Sequence, residues 1–168
     1  MTDESSFESF YHQTAPRLRA YVVRVIGHAA PAEDIVQDAY LRLLRAPPPI
    51  HDPDELRAYL FRIASNLIHD HWRRQRRERE VSDHTTAAPN MANPDPALKV
   101  DMARVFAQLK PQQRQLMWLA YVEGAEHSEI AAALGLRQGS VRVLLHRARH
   151  KLASLLRQRE TTSAGEPR

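Results

Sequence analysis

Apolar side chains along this chain recur every three or four residues and almost nowhere every second one, the period of helices and not of strands. Phe7, Phe10, Tyr11, Leu18, Tyr21, Val22 and Val25 place a first helix over Ser6 to Val25, with Pro16 either kinking it or starting a second segment. After the turn "GHAAP", Pro31 suits a first helical position, and Glu33 and Asp34 suit the positive N-terminal end. In "PAEDIVQDAYLRLLR", Ile35, Ala39 and Leu43 form one stripe with Val36 and Tyr40 alongside, so this second helix runs to about Arg45. "APPPIHDP" breaks it, and Asp52, Pro53 and Glu55 give a start signal with the spacing of a capping box. A long third helix is predicted from Pro53 to Arg79. Its stripe is Leu56, Leu60, Ile63, Leu67 and His71, with Tyr59 and Ile68 beside it, and past Trp72 the apolar pattern gives way to "RRQRRERE".

The stretch "VSDHTTAAPNMANPDPA" is polar, rich in Pro, Ala and Asn, and has no period, which marks a linker. Four helices are predicted beyond it. The first carries Leu98, Met102, Val105, Phe106 and Leu109; the second opens at Pro111 and carries Leu116, Leu119, Ala120 and Val122. The expected fold is all-α: two small helical domains joined by a flexible linker, the C-terminal one containing a helix-turn-helix. The boundaries are residues 1–80 for the N-terminal domain, 81–97 for the linker, 98–158 for the C-terminal domain and 159–168 for a disordered tail.

The helix-turn-helix is the last pair, "HSEIAAALGLRQGSVRVLLHRARHKL". Ile130, Ala131 and Leu134 give its first helix a small apolar face, and Gly135 permits the sharp turn. In the second helix Val141, Leu145, Ala148 and Leu152 define a buried stripe. At about 100° per residue, Leu144 flanks that stripe and Val143 lies on the far side, sharing an outward face with His146, Arg147 and His150. An outward apolar residue in a major groove can meet a thymine methyl. The plainer reading is a helical hairpin with an ordinary basic face.

Charge sharpens this picture. The 168 residues carry a formal net charge of +4 and a sequence pI near 9.8. The excess is modest, but it concentrates in "HWRRQRRER" and "RVLLHRARHK", while the first ten residues are acidic. The dominance of Arg over Lys fits bidentate phosphate or guanine recognition, and equally a coding bias. With no Cys, disulfides, thiolate metal sites and thiol redox chemistry are excluded. The start "MTDESSFESFYHQ" lacks the pattern of a signal peptide and no apolar run approaches membrane-spanning length, so a soluble cytoplasmic protein is expected.

Catalytic signals are poor. His69 and His71 do not share a helix face; His146 and His150 do, but no third ligand accompanies them and Arg147 and Arg149 would repel a cation, so no metal and no cofactor is expected. No phosphate loop or nucleophile constellation appears. The basic end of the third helix suits phosphates or a solvated, ion-paired extension. Asn66 reads as a satisfied core residue or as a base-reading amide, and Trp72 as packing rather than a stacking platform.

Three stretches in order, "AEDIVQDAYLRLLR", "RAYLFRIASNLIHDHWRR" and "LKPQQRQLMWLAYVEGAEHSEIAAALGLRQGSVRVLLHRARHKL", resemble the extracytoplasmic-function (ECF) sigma factors of bacterial RNA polymerase, in the sigma-70 family. The resemblance implies a transcription initiation factor, not an enzyme, that binds core polymerase, confers promoter specificity and assists promoter opening. It implies that Asp34, Gln37, Asp38 and Leu41 dock on the clamp helices of the β′ subunit. It implies that Asn66 lies at a pocket for a flipped base of the −10 element, with Arg73, Arg74, Arg76 and Arg77 on backbone phosphates. It places Gln138, Ser140, Arg142, Val143, His146 and Arg147 at the −35 element, and it implies an inhibitory anti-sigma factor as a further partner.

The chain departs from the family pattern in places. Glu126 stands where a hydroxyl residue usually caps the first helix of the pair, and Arg137 where a Ser is usual. Val143 and Leu144 occupy positions where a polar residue and an Arg are common, so an unusual −35 preference is expected. The Pro-rich loop from Ala46 to Pro53 and a linker less acidic than usual are further differences. Two rivals remain at this stage. A stand-alone helix-turn-helix regulator leaves the helix of residues 32–45 unexplained, and a helical protein adaptor leaves the outward basic face of the last helix unexplained.

Overall fold

A computed structural model describes residues 4–81 and 97–163 of the chain. Every regular element among them is a helix: α1 Glu4–Ile26, α2 Ala29–Arg45, α3 Pro53–Val81, α4 Ala97–Ala107, α5 Pro111–Tyr121, α6 His127–Leu134 and α7 Gln138–Ser163. No helix among the described residues is long and apolar enough to cross a membrane. The chain divides into two compact units, one built on Met1–Ala92 and the other on Asn93–Ala131 and Leu136–Arg168, with Ala132–Gly135 grouped with the first.

In the first unit α1 and α2 form an antiparallel hairpin, and α3 packs on both. The turn is short because Gly27 adopts φ 83° and donates its N–H to Val23 O at 2.8 Å, closing α1 in the left-handed conformation that glycine tolerates. α1 continues through Pro16 as one helix. α2 begins at Ala29, two residues before Pro31. The proline still falls within the first turn, where a missing N–H costs nothing. The core is Leu18, Tyr21, Val22 and Val25 from α1, Ala32, Ala39 and Leu43 from α2, and Leu60, Ala64 and Ile68 from α3. Each of the larger apolar side chains contributes roughly 1.5–3 kcal/mol through burial.

Two hydroxyl pairs orient the helices. Ser65 Oγ donates to Phe61 O, so Tyr21, 2.8 Å away, supplies the proton of the Tyr21–Ser65 bond between α1 and α3. By the same logic Thr14 donates to Phe10 O and Tyr40 donates to Thr14 at 2.7 Å, tying α1 to α2. An exposed ion pair, Arg19–Glu33 at 2.9 Å, spans the same two helices.

Asp52 caps α3 as expected, its Oδ1 accepting the N–H groups of Asp54 and Glu55 at 2.9 Å. The buried face of α3 is rotated from the predicted stripe. Leu56, Leu60 and Leu67 are buried, but Ile63 is only half-buried, and Phe61, Ala64, Ser65 and Ile68 complete the interior face. A helix that packs on two neighbours buries a wide arc, and the predicted stripe lay along one edge of it.

In the second unit α7 packs against α4 and α5. Val105, Leu109 and Leu155 form its apolar centre, with Phe106, Met117, Leu152 and Leu156 against them. Phe106 meets the Trp118 ring edge-on at 6.4 Å, and Trp118 Nε1 donates to Glu123 Oε1 at 3.3 Å. Arg114 is buried, and desolvation lowers the pKa of its guanidinium from the ordinary value. Val122 is not a core residue: α5 ends at Tyr121, and Val122 stands exposed as its C-cap.

α6 is short and held at both ends. Glu129 Oε2 accepts the N–H of Glu126 at 2.7 Å. At the other end Gly135 adopts φ 64°, and Leu136 N–H reaches back to Ala131 O at 2.9 Å, the closure of a Schellman motif. Of the expected linker, Val81 ends α3 and Ala97 opens α4, and residues 82–96 lie outside the described residues. Of the expected tail, α7 runs through Ser163, and residues 164–168 lie outside them.

Candidate protein and nucleic-acid interfaces

Three exposed faces emerge, each opposite a buried one. On α2 the interior is Ala32, Ile35, Val36, Ala39, Tyr40 and Leu43. At about 100° per residue, Asp34, Gln37, Asp38 and Leu41 fall on the opposite side, and all four are exposed. Leu41 is 44% exposed and Leu44, one turn on, 47%. The face thus combines two carboxylates, an amide and two leucines, with the exposed Arg45 at its C-terminal end, a composition that suits a protein partner with charged and apolar groups. Leu44 was not singled out in the sequence, although its spacing of three from Leu41 carries the signal. Beneath this face Tyr40 is fixed by Thr14 and by the Tyr11 ring at 4.8 Å. Burial pushes the Tyr40 phenol pKa up, the Thr14 bond partly offsets this, and Tyr11 adds to it.

The second face lies on α3. Asn66 is exposed, which excludes the satisfied-core alternative. It shares one side of the helix with Arg62, Arg73 and Arg77, all exposed. Arg62, one turn before Asn66, is an addition that i, i+4 spacing could have supplied. Arg74 and Arg76 are also exposed but diverge to either side of this line, and with Asp70, Arg73 and Arg77 they border a shallow open hollow. Asp70 is ion-paired to Arg73, which holds that guanidinium along the helix. About 140° around the helix from Asn66, in line with the interior face, His71 is half-buried with its Nε2 buried and unpartnered. Desolvation lowers its pKa, with Arg74 and His28 adding and Glu78 opposing.

The third face lies on α7. Val141 and Ala148 are fully buried and Leu145 nearly so. Leu144 is half-buried, at the flank where the period put it. Gln138, Arg142, Val143, His146 and Arg147 are exposed, and Ser140 is half-buried near the helix start. Ser140 N–H bonds to Arg137 O at 2.9 Å, so Arg137 supplies the N-cap carbonyl. The His146 and His150 rings approach to 4.4 Å on the outward side. A narrow arc of a regular helix therefore presents one branched apolar group among imidazoles and guanidinium groups. That geometry fits the edge of a base pair flanked by phosphates.

Two protein families match the chain: Sigma-70 region 2 over residues 10–78 and Sigma-70, region 4 over residues 99–152. The RNA polymerase sigma factor CarQ of Myxococcus xanthus is 32% identical over 161 residues, covering 94% of this chain and 92% of that protein. The ECF RNA polymerase sigma factor SigL of Mycobacterium tuberculosis is 35% identical over 157 residues, covering 89% and 88%. Among solved structures, the sigma factor RpoE in complex with the anti-sigma factor NepR from Bartonella quintana superposes with a TM-score of 0.76 at 26% identity, covering 90% of this chain and 97% of that one.

Proposed function

The chain belongs to the ECF sigma factors of the sigma-70 family, and from that membership we propose how its three exposed faces divide the work. It is a transcription initiation factor, not an enzyme: it binds core RNA polymerase and promoter DNA and gives the polymerase its promoter specificity.

In our reading α2 docks on the β′ clamp helices through Asp34, Gln37, Asp38 and Leu41. The carrying observation is that these four residues are exposed together, directly opposite the packed stripe of α2. Asn66 and the arginines of α3 take the −10 element. Asn66 offers an amide to an unstacked base, and the nearby guanidinium groups hold the strand, so that trapping a flipped base offsets the few kcal/mol of unstacking and assists opening. α7 reads the −35 element through Gln138, Ser140, Arg142, Val143, His146 and Arg147. Among the described residues α3 ends at Val81 in the first unit and α4 begins at Ala97 in the second. This supports an N-terminal docking and −10 domain, a connecting segment and a C-terminal −35 domain.

An anti-sigma factor is a further partner in this reading, since the RpoE structure is a complex with one. The place of action is the cytoplasm, where polymerase and promoters meet.

The test of docking is Asp38→Arg. The variant reverses one charge on an exposed face, so it should keep the helical circular-dichroism spectrum and melting temperature of the wild type. It should lose co-elution with core polymerase on gel filtration. Undiminished co-elution would sink the assignment of this face.

A further inference from the structure

We infer that Val143 reads the 5-methyl group of a thymine in the −35 duplex, and that Gly139 lets the helix approach closely enough for it to do so. The inference rests on the proposed −35 role of α7 and assigns one chemical group to one side chain within it.

A single exposed valine is ordinary on a protein surface; the position of this one is not. Val143 is 50% exposed and diametrically opposite Val141, Leu145 and Ala148, so packing makes no demand on it. Within about 60° on either side of it lie Gly139, Ser140, His146, Arg147 and His150. Four of these neighbours are polar or cationic, and the fifth has no side chain. The two γ-methyl groups are thus the only large apolar contribution at the centre of a basic arc. Such a surface matches DNA, where a thymine methyl is the apolar group on a major-groove edge. A protein partner would call for a broader apolar patch.

Gly139 is the independent observation. It lies in the first turn of α7, and its φ is outside the positive range found at Gly27, Gly124 and Gly135. A Cβ added there would meet nothing within 4 Å. Neither backbone conformation nor packing within the chain requires glycine at this position. What it leaves bare is the surface one turn before Val143 on the same face, which allows close approach of backbone to an external partner.

Holoenzyme reconstituted from the full chain and core polymerase first selects its −35 sequence from a library of promoter fragments. Each −35 thymine is then replaced in turn by deoxyuridine, which removes the methyl group and nothing else. One replacement should weaken wild-type binding on the order of fourfold, the value of one buried methyl group, and should leave Val143→Ser holoenzyme unaffected. Gly139→Ala should keep the melting temperature and weaken binding to the selected −35 sequence. The inference is overturned by a selected −35 sequence without thymine, by a wild type indifferent to every replacement, or by equal sensitivity in Val143→Ser. Full-strength binding by Gly139→Ala overturns the close-approach half. Scrambling the selected −35 sequence separates the two levels: if scrambling abolishes binding while the methyl scan is flat, α7 still reads DNA by other groups. If scrambling changes nothing, the −35 role fails and this inference with it.

Discussion

His71 shows how one side chain couples fold and pH. It sits half-buried on α3 with an unpartnered Nε2, and desolvation, Arg74 and His28 hold its pKa below the ordinary 6.5. The unfolded chain therefore binds a proton at higher pH than the folded chain. Stability is fully present above pH 6.5 and declines as the pH falls from there through the lower folded value. We expect the melting temperature of the wild type to fall more steeply below pH 6.5 than that of His71→Gln. Parallel profiles would remove His71 from this role. Asn66 makes a different point at the same scale. Its exposure excludes the core reading, and the base-reading amide stands as our proposal. The signal that places it outward is Arg62 one turn earlier, a charged neighbour at i, i+4 rather than a feature of Asn66 itself.

At the scale of elements, α6 depends on its ends because it spans only His127–Leu134. The expected weak cap at Glu126 is met by Glu129, whose carboxylate takes the Glu126 N–H. Glu129→Ala should release that donor at a cost of about 1 kcal/mol. The readout is roughly fivefold faster amide exchange across α6, with α1 and α3 unchanged. Equal exchange in the variant would show that the cap contributes nothing. The elements most legible in the sequence were those with a narrow buried stripe. α7 offers Val141, Leu145, Ala148 and Leu155 to the interior along one narrow stripe, with Leu144 half-buried at its flank, so its period placed Val143 and Leu144 correctly. α2 read as well for the same reason. α3 packs on both α1 and α2, and its broad interior arc hid Phe61 and Ser65 from a stripe drawn through Ile63. Helix ends were read less well. Nothing local marks Ala29 rather than Pro31 as the start of α2, and nothing local shows that Val122 falls just past the end of α5.

For the whole molecule, the faces on α2, α3 and α7 share a design in which a packed stripe fixes the helix and the opposite side is exposed. The α2 face is acidic and apolar; those on α3 and α7 are basic. A stand-alone DNA-binding regulator would have use for the basic faces and none for Asp34, Gln37, Asp38 and Leu41. In the proposed division of labour an initiation factor employs all three, because sequence reading becomes transcription only when the reader is attached to polymerase. The most direct measurement is therefore reconstitution: the purified chain is mixed with bacterial core polymerase, tested for co-elution on gel filtration, and assayed for transcription on a library of promoter fragments. The account predicts stable co-elution and transcripts from a restricted set of fragments that share −10 and −35 sequences. Absence of association, with the chain alone shifting duplex DNA, would contradict it.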